Sequence, residues 1–441
     1  MIMDDYVISF NDEIGAIYKS STSKLLKITP SIASTLKKEK DTGNISDNTI
    51  KFLKKNFNEI KTNNTNPLEG FIKNRKLYRL QLVVTNSCNL NCRYCYANGG
   101  TYNLNINNMS IKIADKIIDT LSLYVDEIEV IQFFGGEPLQ AYKVIMYICD
   151  KLREKINKLG KITMTSNFTT LPIEFIEYIK KYNISITVSI DGPKEINDKL
   201  RRYKNNNISI FDKISNNIKL LRSYGGDINA IECTFTDEHR SLGFTKKFLN
   251  DYFINTFNIN NIIIADEEKY EETSKSKIKL LDFEDIINDF RNNKNISVTK
   301  INILSKLLKK NNSERFCNVG FSSISFSPKG DIYPCHKFLL TKEYCMGNIC
   351  DSNVFSSKLF DRVGKSLNLL NFENDKCNSC VAKNICFRCP ASLALNNSID
   401  IDDTMCAEYI KFMEIIILEV IKFYESPNWN NIMISSKQNL R

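Results

Sequence analysis

The chain is 441 residues long, 42% hydrophobic and 25% charged, with 60 Lys and Arg against 51 Asp and Glu for a net charge of +9. That length and composition fit a folded protein of two or three domains and exclude a disordered or fibrous one. The excess charge sits in short lysine runs such as Lys306, Lys309 and Lys310, without interleaved aromatic residues, and the single Trp is Trp429, so no nucleic-acid partner is expected.

No run approaches the roughly 20 apolar residues of a membrane span, so no membrane partner is expected. The start, Met1-Ile2-Met3-Asp4-Asp5, is acidic and lacks the apolar core of a signal peptide. A cytoplasmic location is therefore expected, in which the 14 cysteines stay reduced and serve as metal ligands.

Three short strand-like segments open the chain, Tyr6 to Phe10, Gly15 to Lys19 and Leu25 to Ile28, with turn residues between them. Helices are predicted next at Thr29-Pro30-Ser31 and at Ser46-Asp47, where hydroxyl residues precede apolar positions at helical spacing. Residues 1–65 thus read as a winged helix-turn-helix-like unit. Its acidic start and Asn-rich end argue against a DNA-reading helix. Residues 61–76, with Asn63-Asn64-Thr65-Asn66-Pro67, read as a linker.

Residues 77–310 then alternate, with strands predicted near 78–84, 129–134, 161–166, 184–190, 228–235 and 259–264 and helices near 110–125 and 141–158. Strands separated by helices imply an α/β fold with a parallel sheet. The motifs stand at the strand ends. Cys88, Cys92 and Cys95 follow the first strand in a CxxxCxxC loop. Three thiolates hold three irons of a four-iron cluster and leave the fourth open to a small molecule. Zinc is the competing reading, but a closed zinc site needs a fourth ligand and none stands near in sequence.

Gly135-Gly136-Glu137-Pro138 follows the second strand. Its glycines permit close backbone approach and its carboxylate suits a ligand ammonium, while in isolation the segment reads as a tight turn. Thr165-Ser166-Asn167 ends the third strand, and Ser189-Ile190-Asp191-Gly192-Pro193 ends the fourth, followed by Asp198 and Arg201. The bland readings are a turn at Asp191-Gly192 and an exposed helix charge at Arg201.

After a polar stretch near 266–280 and two helices, cysteines return at Cys317, Cys335, Cys377, Cys380, Cys386, Cys389 and Cys406. Soft thiolates in this number suit iron–sulfur clusters or zinc, with a zinc ribbon on the CxxC pairs as the alternative. Cys149 and Cys233 are expected in the core, and His239 in a loop or cap. A helix from Thr404 to Phe423 is expected to bury Ile415, Leu418 and Phe423.

The CxxxCxxC loop with Tyr94 before its last cysteine, the Gly-Gly-Glu-Pro segment and the Ser-x-Asp-Gly-Pro…Asp-x-x-Arg pattern together resemble the radical S-adenosylmethionine (SAM) superfamily. The resemblance implies a partial (β/α)6 TIM-like barrel with its site at the C-terminal strand ends. It also implies that the open iron chelates SAM, whose reductive cleavage yields a 5′-deoxyadenosyl radical. The implied SAM-binding residues are Tyr94, Gly135, Gly136, Glu137, Pro138, Asn167, Ser189 and Arg201, although Phe168 stands where the family usually has Gly.

Residues 311–425 resemble the SPASM extension, which carries two auxiliary clusters and would bring the total to three [4Fe–4S] clusters. Carried over, the pattern gives Cys377, Cys380, Cys386 and Cys406 to the distal cluster, and Cys317, Cys335 and Cys389 to the inner one. Ser323 occupies the place of the inner site's usual fourth cysteine, so that iron is either open to a substrate thiolate or closed by Cys345 or Cys350. The Cys386-to-Cys389 spacing is one residue shorter than the usual pattern. His336 follows Cys335, where sulfatase-maturing relatives place a catalytic Asp, and is the catalytic candidate beside the inner cluster.

The N-terminal unit is similar to precursor-peptide recognition elements, which capture a peptide leader as an added strand. The implied enzyme is a peptide maturase joining Cys sulfur to carbon in a ribosomally made, Cys-rich precursor peptide, as in sactipeptides or ranthipeptides. Its partners would be that peptide, bound through its leader, and a low-potential ferredoxin or flavodoxin. The alternatives are a carbon–carbon crosslinking or other oxidative maturase, and a non-catalytic iron–sulfur or zinc scaffold.

Overall fold

A computed structural model of the chain describes residues 3–57, 74–204, 208–267, 283–292, 303–304, 306–308, 319–320, 322–352, 354–355, 379–386, 389, 391 and 403–426. Cys317, Cys377, Trp429 and linker residues 61–73 lie outside them. The chain begins with β1 (Tyr6–Phe10), β2 (Gly15–Lys19) and β3 (Lys24–Ile28), an antiparallel sheet in sequence order. Two capped helices follow. The Thr29 hydroxyl accepts from the Ile32 N–H to start α1 (Pro30–Thr42), and the Ser46 hydroxyl accepts from the Thr49 N–H to start α2 (Asp47–Asn56).

A nine-stranded sheet forms the body. Its parallel part runs β4 (Lys76–Thr85), β5 (Glu127–Gly135), β6 (Lys158–Ser166), β7 (Ser185–Ser189), β8 (Ala230–Phe235) and β9 (Ile262–Asp266), each strand beside the next. The crossovers are α3 (Ile111–Tyr124), α4 (Tyr142–Lys155), α5 (Ile173–Lys181), α6 (Lys194–Leu200) with α7 (Ile210–Ser223), and α8 (Asp237–Ser241) with α9 (Lys246–Phe257). Strand and helix periodicities meet in one core. Leu80, Leu82, Ile131, Phe133, Met164, Ile186, Val188, Ile231 and Cys233 from the strands join Ile117, Leu121, Ile148, Cys149, Phe175 and Leu221 from the helices. Each such Leu, Ile, Val, Phe or Met side chain stabilises the fold by about 1.5–3 kcal/mol.

Three later strands extend this sheet beyond β4. After α10 (Phe283–Asn292), β10 (Ser323–Phe326) pairs parallel to β4, with Ser323 opposite Arg79 and Phe326 opposite Leu82. The strands β11 (Asp331–Tyr333) and β12 (Gly347–Asn348) continue it antiparallel. The last helix, α11 (Asp403–Glu425), buries Phe412, Met413, Ile416, Ile417, Val420 and Phe423 in a cluster shared with Val7, Ala16 and Tyr18 of the N-terminal sheet and Ile286 and Phe290 of α10. Ile415 departs from expectation and is 38% exposed, because the buried stripe at 412, 413, 416, 417 and 420 leaves it on the solvent face. Among the described residues, no helix is long and apolar enough to cross a membrane.

Candidate active site

Cys88, Cys92 and Cys95 lie half-buried on the loop after β4. Burial pushes the Cys88 thiol up to about 11 and the Cys92 thiol up to about 12, so without a metal both are protonated at neutral pH. A bound metal reverses that preference and takes them as thiolates. Two donors address the Cys88 sulfur, the Leu90 N–H at 3.4 Å and the Asn167 amide at 3.8 Å, the kind of N–H···S contact that tunes cluster thiolates. Among the described residues, no three Cys, His, Asp or Glu side chains converge on a single-ion site. A cubane makes no such demand, since each of its ligands binds a separate iron.

The glycines of the second motif are required by the first. A Cβ on Gly135 would meet the Thr85 carbonyl oxygen at 2.4 Å, and one on Gly136 would meet the Ser87 carbonyl oxygen at 2.3 Å. The Gly136 N–H donates to the Thr85 carbonyl at 2.9 Å and the Glu137 N–H to the Ser87 carbonyl at 2.8 Å. Gly100, at φ +88°, closes the other side, where a Cβ would stand 2.5 Å from the Gly136 Cα and 2.8 Å from the Cys88 Cβ. Close packing of this loop on the cysteine loop is thus what these glycines accomplish, beside any access they give a ligand.

Glu137 is buried, and its carboxylate accepts from the Leu139 N–H at 2.9 Å, the Ser166 hydroxyl at 2.7 Å and the Asn167 N–H at 2.7 Å. Burial outweighs these bonds and pushes it up to about 7. It therefore staples the end of β5 to the end of β6, while Pro138 opens the short 3-10 turn Pro138–Ala141. Asn167 donates from its amide to Asn89 at 2.9 Å, as well as facing Cys88. Phe168 takes φ +53°, the left-handed conformation, which accounts physically for a glycine preference at this place. Its ring is buried in the core and its carbonyl accepts from the Asn217 amide at 2.8 Å.

The segment after α6 runs antiparallel along the cysteine loop. The Arg93 N–H donates to the Leu200 carbonyl at 3.1 Å, the Asn91 N–H to the Arg202 carbonyl at 2.7 Å and the Lys204 N–H to the Asn89 carbonyl at 3.3 Å, with Leu90 bridged to Tyr203. This register sets Arg201 opposite Cys92. The Arg201 guanidinium is buried and forms a fork with Asp191, Nε to Oδ2 at 2.7 Å and Nη2 to Oδ1 at 3.0 Å, over the Tyr94 ring at 5.5 Å. The Tyr94 hydroxyl donates to the same carboxylate. Arg201 is thus held inside the site rather than on a helix surface. Ser189 ends β7 beside Glu232 of β8, whose carboxyl is raised by burial against the opposing pull of Arg201 and Lys337.

The Radical SAM superfamily signature matches residues 82–237, the span from β4 to the start of α8 that carries these motifs. The chain belongs to the radical SAM superfamily. An uncharacterized protein of Methanocaldococcus jannaschii is 32% identical over 279 residues, 62% of this chain and 89% of the relative. A cysteine-type anaerobic sulfatase-maturating enzyme of Clostridium novyi is 26% identical over 332 residues, 69% of this chain and 85% of that enzyme. Among solved structures, native anSMEcpe with bound AdoMet and Cp18Cys peptide shares the fold at a TM-score of 0.60 and 20% identity, over 79% of this chain and 98% of that one. Membership of the radical SAM superfamily implies a [4Fe–4S] cluster and SAM, and the half-buried thiols with their N–H donors suit that cluster.

Cys335 follows β11, and His336 begins a 3-10 turn that runs to Leu340. The His336 N–H donates to the Gln81 Oε1 at 3.2 Å, the Gln81 amide stands 3.1 Å from Nδ1, and the ring lies 4.1 Å from the Phe134 ring. Burial, with Lys337 and Arg79 nearby, pushes the imidazole down to about 3, so it is neutral and Nδ1 accepts. The described thiols of the second set divide in two. Cys335, Cys345 and Cys389 pack on the core of the large sheet, whereas Cys380 and Cys386 pack on the α10–α11 cluster. Cys406 is half-buried on α11, Cys350 is exposed, and Ser323 is buried in the β10–β4 ladder. Sequence reading did not single out Gly100, the 200–204 strap, or Asp191 as a shared anchor. The Asn98-Gly99-Gly100 turn signal was the available clue to the first.

Proposed function

We propose that this radical SAM enzyme is a peptide maturase that joins a Cys sulfur to a carbon of a ribosomally made precursor peptide. The observation that carries the reading is the position of Cys335 and His336, with His336 bonded to Gln81 of β4 and its ring tilted against Phe134 of β5, the two strands that end in the SAM motifs. A second thiol site beside the first is what sulfur-to-carbon chemistry needs. The Clostridium novyi relative, named for maturing sulfatases at cysteine, supports a protein or peptide substrate.

In this reading Cys335 and Cys389, with Cys317, hold an inner auxiliary cluster open at the Ser323 side, and Cys377, Cys380, Cys386 and Cys406 hold a distal one. The N-terminal sheet receives the peptide leader. SAM and its cluster, when bound, would supply the hydrogen-abstracting power and take one hydrogen atom from the peptide carbon, while the inner auxiliary cluster would take up the second electron and the thiol proton would leave to solvent. The chain does the rest. Gly135 and Gly136 seat the cysteine loop, Tyr94, Asn167 and Ser189 line the SAM site, and neutral His336, its Nδ1 held by the Gln81 amide, stands beside Cys335 without adding charge. Its neutrality also separates the site from one with a carboxylate base at this position.

The test is anaerobic reconstitution with iron and sulfide, followed by incubation with SAM, a low-potential reductant and synthetic Cys-rich precursor peptides. Three clusters predict about twelve irons per chain. Deoxyadenosine release that is lost in the Cys88→Ala/Cys92→Ala/Cys95→Ala protein, together with a peptide lighter by two hydrogens per crosslink and resistant to thiol alkylation, would establish the reaction. Bond formation between two carbons, with all thiols still alkylatable, would replace it with the carbon–carbon reading.

A further inference from the structure

Asp191 is wholly buried, yet every oxygen of its carboxylate is spent on the protein. It accepts from the Tyr94 hydroxyl, from Arg201 twice, and from the Thr234 N–H at 3.0 Å. Its own backbone is fixed on both sides, with its N–H donating to Asn197 Oδ1 at 3.1 Å and its carbonyl accepting from His239 Nε2 at 2.6 Å. His239 holds one tautomer, because its Nδ1 accepts from the Thr236 N–H at 3.1 Å. One carboxylate therefore ties together β7, β8, the strap after α6 and the cysteine loop, the last through Tyr94, directly before Cys95.

The charge arrangement has a redox consequence. The strap register sets Arg201 opposite Cys92. An unpaired guanidinium there would stabilise the more negative, reduced state of a cluster on Cys92 and raise its potential, whereas a neutral Asp–Arg pair leaves it low. We propose that Asp191 is a positioning residue for the cluster loop, anchoring Tyr94 and cancelling the charge of Arg201 opposite Cys92, so that the cluster keeps the low potential SAM cleavage requires. The proposal rests on family membership and the cluster alone, so it stands or falls independently of the peptide reaction.

The experiment is a reductive titration of the reconstituted protein without SAM, followed by electron paramagnetic resonance. The signal absent from the Cys88→Ala/Cys92→Ala/Cys95→Ala protein is taken as that of the SAM cluster. Asp191→Asn should raise the reduced-to-oxidised ratio at fixed potential about tenfold, equivalent to 59 mV for one electron. Arg201→Gln should move it the opposite way, and the Asp191→Asn/Arg201→Gln protein should return toward the parent value. Single variants that move the potential in the same direction, or not at all, would overturn the proposal. If Asp191→Asn lacks that signal, the direction in Arg201→Gln decides. If neither single variant shows it, its return in the double variant supports charge compensation and its continued absence refutes it.

Discussion

Gly136→Ala tests whether the second motif seats the first. The added methyl would lie 2.3 Å from the Ser87 carbonyl oxygen, 2.5 Å from its carbon and 2.9 Å from the Cys88 nitrogen. All three are backbone atoms, so relief requires the loops to part by about an ångström, van der Waals contact of carbon being about 3.5 Å. Parting them breaks the 2.8 Å bond from the Glu137 N–H to the Ser87 carbonyl, about 1 kcal/mol. Overpacking adds about 1–3 kcal/mol, for a total of about 2–4 kcal/mol. Urea unfolding of the metal-free protein should show that loss, and iron uptake should fall because Cys88 moves with the loop. Gly225→Ala is the control, since it has φ +78° but nothing within 4 Å, and it should cost only local strain and leave iron uptake intact. A Gly136→Ala protein with parental stability and full iron would refute the reasoning.

Glu137 gives a pH dependence of unusual sign. Its folded carboxyl, raised from 4.5 to about 7, binds its proton more tightly than the unfolded one, so the metal-free fold loses stability as pH rises through that window, by about 3 kcal/mol at 1.36 kcal/mol per unit. Urea midpoints at pH 5 and pH 8 should therefore converge in Glu137→Gln relative to the parent, and an unchanged difference would count against the burial argument. Phe168→Gly sets two terms against each other, relief of left-handed strain at about 1–2 kcal/mol and loss of a buried ring at about 3–5 kcal/mol. The ring wins, and thermal unfolding should show net destabilisation of about 1–4 kcal/mol. In timed alkylation read by mass spectrometry, exposed Cys350 should label first, whereas Cys149 and Cys233, buried and with thiols raised by that burial, should label only on unfolding.

Much of the parallel sheet was legible because its signals are local. Apolar runs ending in Gly-Gly-Glu-Pro or Ser-Ile-Asp-Gly-Pro gave strand and strand end together, and the hydroxyl caps Thr29 and Ser46 marked helix starts. His239 does cap a helix, sharing a reciprocal capping box with Thr236. What escaped was pairing between distant residues. Nothing in Ser323–Phe326 announces β4 as its neighbour, and the strap at 200–204 contains no strand pattern because its ladder forms on an irregular loop. Asp191 was hidden by its own chemistry, since Asp-Gly is a turn signal whatever the carboxylate binds. At Ile415, one apolar residue in an apolar helix carried too little phase to show which face it would take.

Asn384 stands between the thiols Cys380 and Cys386, and its amide reaches back to the Tyr18 hydroxyl at 3.0 Å, the Ser20 carbonyl at 2.7 Å and the Ser23 hydroxyl at 3.0 Å, the first of these across 366 residues of chain. At ribosomal rates of about 5–20 residues per second, roughly 20–70 s separate the synthesis of the two partners. The N-terminal sheet is therefore born without the surface it docks on, and for that interval Val7, Ala16 and Tyr18 face solvent or a chaperone. Its docking therefore follows the synthesis of Cys380 rather than preceding it.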